Sequence, residues 1–164
     1  MGNPAIGFKV DDVLSSANRI ASGKGFKLGQ RVQVQGKEYI YAKNASSNAA
    51  WRMVNVNAST FAITGLTTAL SAASEIIGVL PAAIASDEYG WVQIYGRGKL
   101  QVLGLAVKNI ALFSTTTAGS LDDATASNFR IEGINLLSTN PSSTATALSA
   151  FIAYPAVLRR AGVA

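Results

Sequence analysis

Short segments that alternate apolar and polar side chains recur along most of this chain, separated by turn residues at a spacing of about ten residues. Residues 31–43 show the pattern clearly, because alternating side chains flank the pair Gln35-Gly36, which is typical of a two-residue hairpin turn. Roughly eight to ten such segments indicate a mainly β protein, built as a single-domain barrel or sandwich of short antiparallel strands. We expect this β domain over residues 28–164, preceded by an extended N-terminal arm at residues 1–27.

Further strands follow from the same pattern. They are predicted at residues 51–56, 60–64, 111–114, 130–137 and 151–158, the last interrupted by Pro155. Pro81 excludes a central strand at residues 78–85, while residues 66–77 fit a helical stripe and a strand equally well. The sequence has no repeat of fixed period, which argues against a solenoid or a propeller.

The glycine-rich stretch GWVQIYGRGKLQVLG, residues 90–104, suggests either a phosphate-binding loop or a turn between two strands. A dinucleotide-binding loop needs a third glycine where this chain has Gln101, and a P-loop needs a hydroxyl residue where it has Leu100. Alternating side chains on both sides of Gly96-Arg97-Gly98-Lys99 instead predict a β-hairpin that turns at these four residues.

The composition excludes most common catalytic chemistry. The chain of 164 residues contains no cysteine and no histidine, so disulfides, thiolate nucleophiles, the usual zinc sites and histidine-dependent catalysis are ruled out. Its nine Asp and Glu residues are too sparse to suggest convergent carboxylates. We therefore predict that the protein is not an enzyme and uses no cofactor.

Three acidic pairs are the remaining candidates for a metal site: Asp11-Asp12, Asp87-Glu88 and Asp122-Asp123. Neighbouring side chains of an extended chain point to opposite faces, so no pair forms a two-carboxylate site by itself. Each pair lies in a predicted loop, where Asp commonly bonds to the backbone of its own turn. We favour turn chemistry and predict no metal, with a calcium site at Asp122 and Asp123 as the alternative.

Basic residues exceed acidic ones and give a formal net charge of +5, but they are spread singly rather than in runs. Only residues 24–31, KGFKLGQR, place an aromatic side chain, Phe26, between lysines, as a nucleic-acid-binding surface would. A basic loop lying on an acidic protein explains this segment equally well, and a solvated face explains it better.

No apolar run approaches the roughly 18 residues that cross a membrane, so no membrane association is expected.

The hydrophobic share of 49% is high for a chain with so little charge, which favours burial of side chains against partner subunits. Aromatic residues on predicted strands are more often core or interface anchors than a platform for stacking sugars. We assign Trp91 and Tyr95, together with Arg97, to a subunit interface.

Two longer motifs carry a resemblance to a known group of proteins. EYGWVQIYG at residues 88–96 and LFSTTTAGSLDD at residues 112–123 are its most specific parts, within a likeness that covers about residues 28–158. The chain resembles the small head-decoration or cement-like structural proteins of tailed bacteriophages. The resemblance implies a β-barrel-like body, trimerisation, and an arm that grips the capsid, with no catalytic motif.

The expected function is therefore that of a virion structural protein on the outer surface of the capsid, which binds and stabilises the assembled shell as a homotrimer with the major capsid protein as partner. The residues assigned to the capsid-binding arm are Phe8, Val10, Val13, Leu14, Ile20, Lys24 and Lys27. With no steady period and no obvious place in the barrel, the arm is expected to be loose until a partner covers it, so that its deletion barely changes melting. The alternatives are a tail or head-fibre component that contacts the host surface, and a nucleic-acid-binding protein that uses Lys24–Arg31.

Overall fold

A computed structural model of the protein describes residues 9, 11, 13–15, 26–68, 75–124 and 129–159, which form ten β-strands and no helix. The strands are β1 (Arg31–Val34), β2 (Lys37–Asn44), β3 (Met53–Val56), β4 (Ala62–Gly65), β5 (Ile76–Val79), β6 (Tyr89–Val102), β7 (Leu112–Ser114), β8 (Leu121–Asp122), β9 (Phe129–Leu136) and β10 (Thr146–Arg159). The prediction of a mainly β single domain is confirmed.

Five strands close into a small barrel. Around it β2 pairs with β4, β4 with β3, β3 with β5 and β5 with β6, and β6 returns to β2. The β2–β4 pair is parallel and the other pairs are antiparallel, so the barrel is mixed rather than purely antiparallel. Successive side chains of a strand point to opposite faces, and Ile40, Val54, Ile63 and Val92 fill the buried interior.

The second half of the chain adds a further ring of paired strands. β6 pairs with β10, β10 with β9, β9 with β7 and β7 with β8, and β8 returns to β6 where Leu121 pairs with Val102. The apolar core of this ring contains Leu100 and Ile152, and it also takes in Met53, which β3 directs away from the barrel interior. Because β6 belongs to both rings, and β3 contributes Met53 to one core and Val54 to the other, the two rings form one unit.

The predicted hairpin at residues 96–99 is wrong, because β6 runs unbroken for 14 residues. Gly96 has a φ of +96°, a conformation that only glycine adopts at little cost, and a Cβ there would lie 2.6 Å from the carbonyl oxygen of Gly36. The strand kinks at Gly96 without reversing. It pairs with β2 from Tyr89 to Tyr95 and with β10 from Tyr95 to Val102. Glycine here marks the point where one strand passes from the first ring to the second.

β10 is also longer than predicted, with 14 residues from Thr146 to Arg159. It accommodates Pro155 in a bulge, where three residues of β10 stand opposite Gly133 alone. Within this bulge Tyr154 has a φ of +47°. A proline has no N–H to donate, so the bulge places Pro155 where the ladder of hydrogen bonds is already interrupted.

Of two local predictions, one is confirmed in full and the other in part. β1 and β2 form the expected hairpin, and its turn residues Gln35 and Gly36 have φ values of +51° and +73°, as a type I′ turn requires. The exclusion of a central strand at residues 78–85 is wrong for its first two residues, because Gly78 and Val79 belong to β5, which lies between β3 and β6. β5 ends at Val79, so Pro81 follows the strand rather than interrupting it. Both features depend on residues that are close in the sequence.

Candidate interaction surfaces

The segment between β6 and β7, residues 103–111, is called the apolar loop here because it presents three apolar side chains to solvent. Leu105 is 61% exposed, Ile110 48% and Val107 38%. Leu105 also has a φ of +65°, which is costly for a bulky side chain. Exposure of an apolar side chain and backbone strain at the same residue favour a role for this loop in contact with a partner.

A buried amide holds the apolar loop in place. Asn140 is 1% exposed, and its Nδ2 donates hydrogen bonds to the carbonyl oxygens of Leu103, at 3.0 Å, and Thr144, at 2.9 Å. A second attachment comes from Asp123, whose Oδ2 accepts a hydrogen bond of 2.9 Å from the backbone N–H of Val107. The loop is therefore fixed at its start and its middle, so little conformational entropy is lost when a partner binds it.

Tyr95, Phe151 and Tyr154 form a second surface, the aromatic patch, near the junction of the two rings. The ring centroid of Tyr95 lies 5.6 Å from that of Phe151 and 5.1 Å from that of Tyr154. The Tyr154 hydroxyl donates a 2.7 Å hydrogen bond to Oε2 of Glu38, whose Oε1 accepts another from Nη1 of Arg31 at 3.1 Å. The buried Glu38 carboxylate therefore fixes the position of the exposed Tyr154 ring.

The Glu38 carboxylate raises the pKa of Tyr154, chiefly because it accepts the hydrogen bond that only the neutral phenol can donate. Desolvation of the phenol and the negative charge of Glu38 act in the same direction. Tyr154 therefore stays protonated to a higher pH than an ordinary tyrosine and remains a hydrogen-bond donor to Glu38 over that range.

The structure separates the three residues that the sequence assigned to a subunit interface. Trp91 is 1% exposed, and its ring packs against those of Tyr41 and Phe26 at centroid distances of 4.9 Å. Assigning Trp91 to an interface was therefore wrong, because the chain segment that carries Phe26 covers it. Tyr95 lies in the aromatic patch, and Arg97 is exposed on β6.

Four of the predicted arm residues, Phe8, Val10, Ile20 and Lys24, lie outside the described residues. Leu14 forms a β-bridge with Tyr89 through two backbone hydrogen bonds of 2.9 Å, and Val13 packs against the barrel core. The expectation that Val13 and Leu14 have no place in the barrel is therefore wrong. Lys27 is exposed, as a contact residue must be.

The basic segment at residues 24–31 does not offer a free aromatic ring. Phe26 is packed against Tyr41 and Trp91, and Arg31 is engaged with Glu38. Stacking of a nucleic-acid base on Phe26 would require this packing to be broken.

Two acidic pairs bind the backbone of their own turns, as the turn interpretation predicts. Oε2 of Glu88 accepts a hydrogen bond of 3.0 Å from the N–H of Ala85, and Oδ1 of Asp122 accepts one of 2.9 Å from the N–H of Asp123. Burial raises the pKa of Asp122. In the ranges that the structure describes, no group of three or more side chains is placed to hold a metal ion. Asp12 lies outside these ranges.

The exposed residues Leu105, Ile110 and Tyr154 are not predicted by the sequence pattern. The apolar loop follows a strand of high apolar content, so its side chains look like a continuation of the core pattern. The only signal was that residues 103–111 no longer alternate, which indicates a loop that carries apolar residues without a strand to bury them.

Neither a scan against models of known protein families nor a search of curated proteins finds a match to this chain. No helix long and apolar enough to cross a membrane occurs in the described part of the chain.

Proposed function

We propose that this protein is a non-enzymatic structural component of a tailed-bacteriophage virion, which binds the outer surface of the assembled capsid and stabilises it. Its partner is the major capsid protein, and its working form is a homotrimer. The motifs at residues 88–96 and 112–123, which resemble those of decoration proteins, support this assignment, as does a composition without cysteine or histidine.

The observation that carries the proposal is the apolar loop. Leu105 and Ile110 expose large apolar side chains on a loop whose backbone is hydrogen-bonded to Asn140 at Leu103 and to Asp123 at Val107. Rigid apolar anchors at the centre of a contact supply most of the free energy of a protein interface, because they bury area with little loss of entropy. A loop of this kind is suited to a preformed surface such as an assembled capsid.

The aromatic patch provides a separate surface for contacts between copies of the chain. Tyr154 is 53% exposed and Phe151 36%, and Tyr and Phe are enriched in the buried centres of interfaces. We assign this patch to the trimer contact, which retains Tyr95 from the sequence interpretation and replaces Trp91. Three linked copies would bind the capsid at high effective concentration even if each contact is weak.

A binding assay on capsids tests the proposal. The double variant Leu105→Ser, Ile110→Ser should lose at least about tenfold in affinity for expanded capsids that lack the protein, because burial of each side chain contributes roughly 1.5–3 kcal/mol. Bound protein is measured by co-sedimentation with the particles. Sedimentation velocity of the free protein should show a trimer.

The matched control is Leu158→Ser, which removes an equally exposed apolar side chain, 46% against 48% for Ile110, outside the apolar loop. It should bind capsids as the unchanged protein does. A chain that fails to bind particles at micromolar concentration, or that sediments only as a monomer, would contradict the proposed function. Equal binding by the double variant and the control would show that attachment uses another surface.

A further inference from the structure

A cleft of about 630 Å³ opens beside the kink in β6. Arg97 and Lys99 lie two positions apart on β6, just beyond Gly96, and both line the cleft. Lys37, the first residue of β2, lies close to the kink. All three basic side chains line the cleft, and none of its lining residues belongs to the apolar loop. The cleft is therefore a separate feature from the proposed capsid contact.

The charge of the cleft selects for anions. Among the lining residues that the structure describes, three carry a basic side chain and one, Asp11, carries a carboxylate. Cations grouped in a concave surface reinforce one another's potential and raise the local concentration of an anionic ligand. Arg97 is exposed, so its guanidinium is accessible to pair with a carboxylate or a sulfate through two hydrogen bonds.

Trp51 forms a flat apolar wall of the same cleft. Its φ is +66°, a strained value for a bulky residue, and two backbone hydrogen bonds hold it there. Its N–H donates to the carbonyl of Leu80 at 2.7 Å, and its own carbonyl accepts from the N–H of Gln101 at 2.8 Å. Nζ of Lys99 lies 5.5 Å from the centroid of the indole ring. A positioned indole beside a basic group is suited to a ligand that has both an apolar face and a negative charge.

The cleft also contains fixed hydrogen-bond acceptors. Nε2 of Gln93 donates to the carbonyl oxygens of Tyr95, Gly96 and Arg97, at 3.1, 3.2 and 3.1 Å, which fixes the orientation of its amide. The remaining atom, Oε1, lies over Gly98, where a Cβ would come within 2.7 Å of it. The Ser149 hydroxyl lines the cleft as well. A ligand that offers O–H groups would satisfy these oxygens.

We propose that this cleft binds an acidic saccharide, a sugar unit that carries a carboxylate or a sulfate. Such a ligand would make all three kinds of contact that the cleft offers. Its anionic group would pair with Arg97 and Lys99, its hydroxyl groups would donate hydrogen bonds to Gln93, and the C–H face of its ring would pack on Trp51. A single-stranded nucleic acid fits less well, because it needs a basic groove along several phosphates and a series of stacking rings. An acidic peptide would leave the acceptor oxygens without hydroxyl donors.

Calorimetric titration of the full chain tests the assignment with four probes. These are an oligogalacturonate, its fully methyl-esterified neutral form, a heparin-derived oligosaccharide and an oligothymidylate. We expect binding of the oligogalacturonate or the heparin fragment, and affinity for the neutral ester at least about tenfold lower, since it keeps the sugar ring but has lost the charge-assisted hydrogen bonds.

Three variants test whether the ligand occupies this cleft. Arg97→Ala should weaken binding of the acidic sugar about tenfold, whereas Lys108→Ala, which removes an exposed cation of the apolar loop, should leave it unchanged. Ligand should quench the fluorescence of the unchanged protein through Trp51 and leave that of Trp51→Phe, which retains the buried Trp91, unaltered. The proposal is overturned if no acidic sugar binds, if the neutral ester or the oligothymidylate binds as tightly, or if both cation variants lose affinity equally.

Discussion

The hydroxyl of Tyr154 donates a hydrogen bond of 2.7 Å to Glu38, a residue 116 positions away in the sequence. β10 carries Tyr154 in its bulge and belongs to the second ring, whereas β2 carries Glu38 and belongs to the barrel. The bond therefore connects the two rings at the surface, beside the strand β6 that they share. It also fixes the most exposed ring of the aromatic patch.

The first prediction concerns pH. The pKa of Tyr154 is raised in the folded protein, so the Tyr154–Glu38 bond should contribute its full stability below the ordinary tyrosine pKa of about 10 and lose it as the pH rises through the raised value. In urea unfolding, Tyr154→Phe should be less stable than the unchanged protein near neutral pH, and the difference should shrink in strong alkali. Tyr95→Phe, which keeps its ring contacts in the same patch, serves as the control. A difference that stays constant with pH would exclude this titration.

A second prediction compares two glycines with nearly the same φ. Gly133 has a φ of +74°, and a Cβ there would lie 2.4 Å from the carbonyl oxygen of Ala153; Gly36 has a φ of +73° with no atom within 4 Å. Gly36→Ala should cost about 1 kcal/mol of unfolding free energy, from backbone strain alone. Gly133→Ala should cost about 2–4 kcal/mol, because β9 and β10 must also separate. Equal losses in chemical denaturation would show that the bulge can relax.

These two glycines illustrate what the sequence could predict. The turn at Gly36 depends on two adjacent residues, so the β1–β2 hairpin was predicted correctly. Gly133 has its conformation because of a bulge in β10, and Gly96 because β6 changes partner between β2 and β10. Those causes lie far away in the sequence, so the local pattern at Gly96 predicts a hairpin that the structure does not contain.

The candidate surfaces were predictable only in part, for a similar reason. Tyr95 and Trp91 lie on one strand and look equivalent in the sequence, but Phe26 covers Trp91 and leaves Tyr95 accessible. The local sequence pattern predicts which face of a strand a side chain occupies, but it does not predict which other segment of the chain covers that face. The cleft at Arg97 and Lys99 likewise requires Trp51, which comes from a different part of the chain.

A third prediction concerns the kink in β6. Gln93 is 4% exposed and satisfies three carbonyl oxygens around Gly96. Gln93→Leu should lower the unfolding free energy by roughly 2–3 kcal/mol, because three carbonyl oxygens that are largely buried lose their donor. Gln101→Leu makes the same chemical change at a half-buried position of the same strand and should cost less than about 1 kcal/mol. Similar losses in urea titrations of the two variants would mean that the Gln93 bonds are not what stabilises the kink.

Asn140 carries a fourth prediction, which concerns the dynamics of the apolar loop. Asn140→Ala removes the donors to Leu103 and Thr144, so the unfolding free energy should fall by about 1–3 kcal/mol. Backbone N–H groups of residues 103–107 should exchange with deuterium faster, at a denaturant concentration where the protein remains folded. Asn135→Ala, at an exposed position of β9, is the control and should change neither quantity. Unaltered exchange in the loop would show that Asn140 does not fix it.

The last prediction concerns the segment before β1. Phe26 packs edge-on against Tyr41 and Trp91, at centroid distances of 5.5 Å and 4.9 Å, and Leu14 bridges to Tyr89. Phe26→Ala should therefore cost about 2–3 kcal/mol, because it opens a cavity over Trp91, while Lys27→Ala at the exposed neighbour should cost less than about 0.5 kcal/mol. A truncated protein that lacks residues 1–27 loses the Phe26 packing and the Leu14 bridge together. The melting temperature of the truncated protein should therefore be lower than that of Phe26→Ala. If the truncated chain melts as the full chain does, the arm is loose after all, and these contacts add nothing to the stability of the barrel.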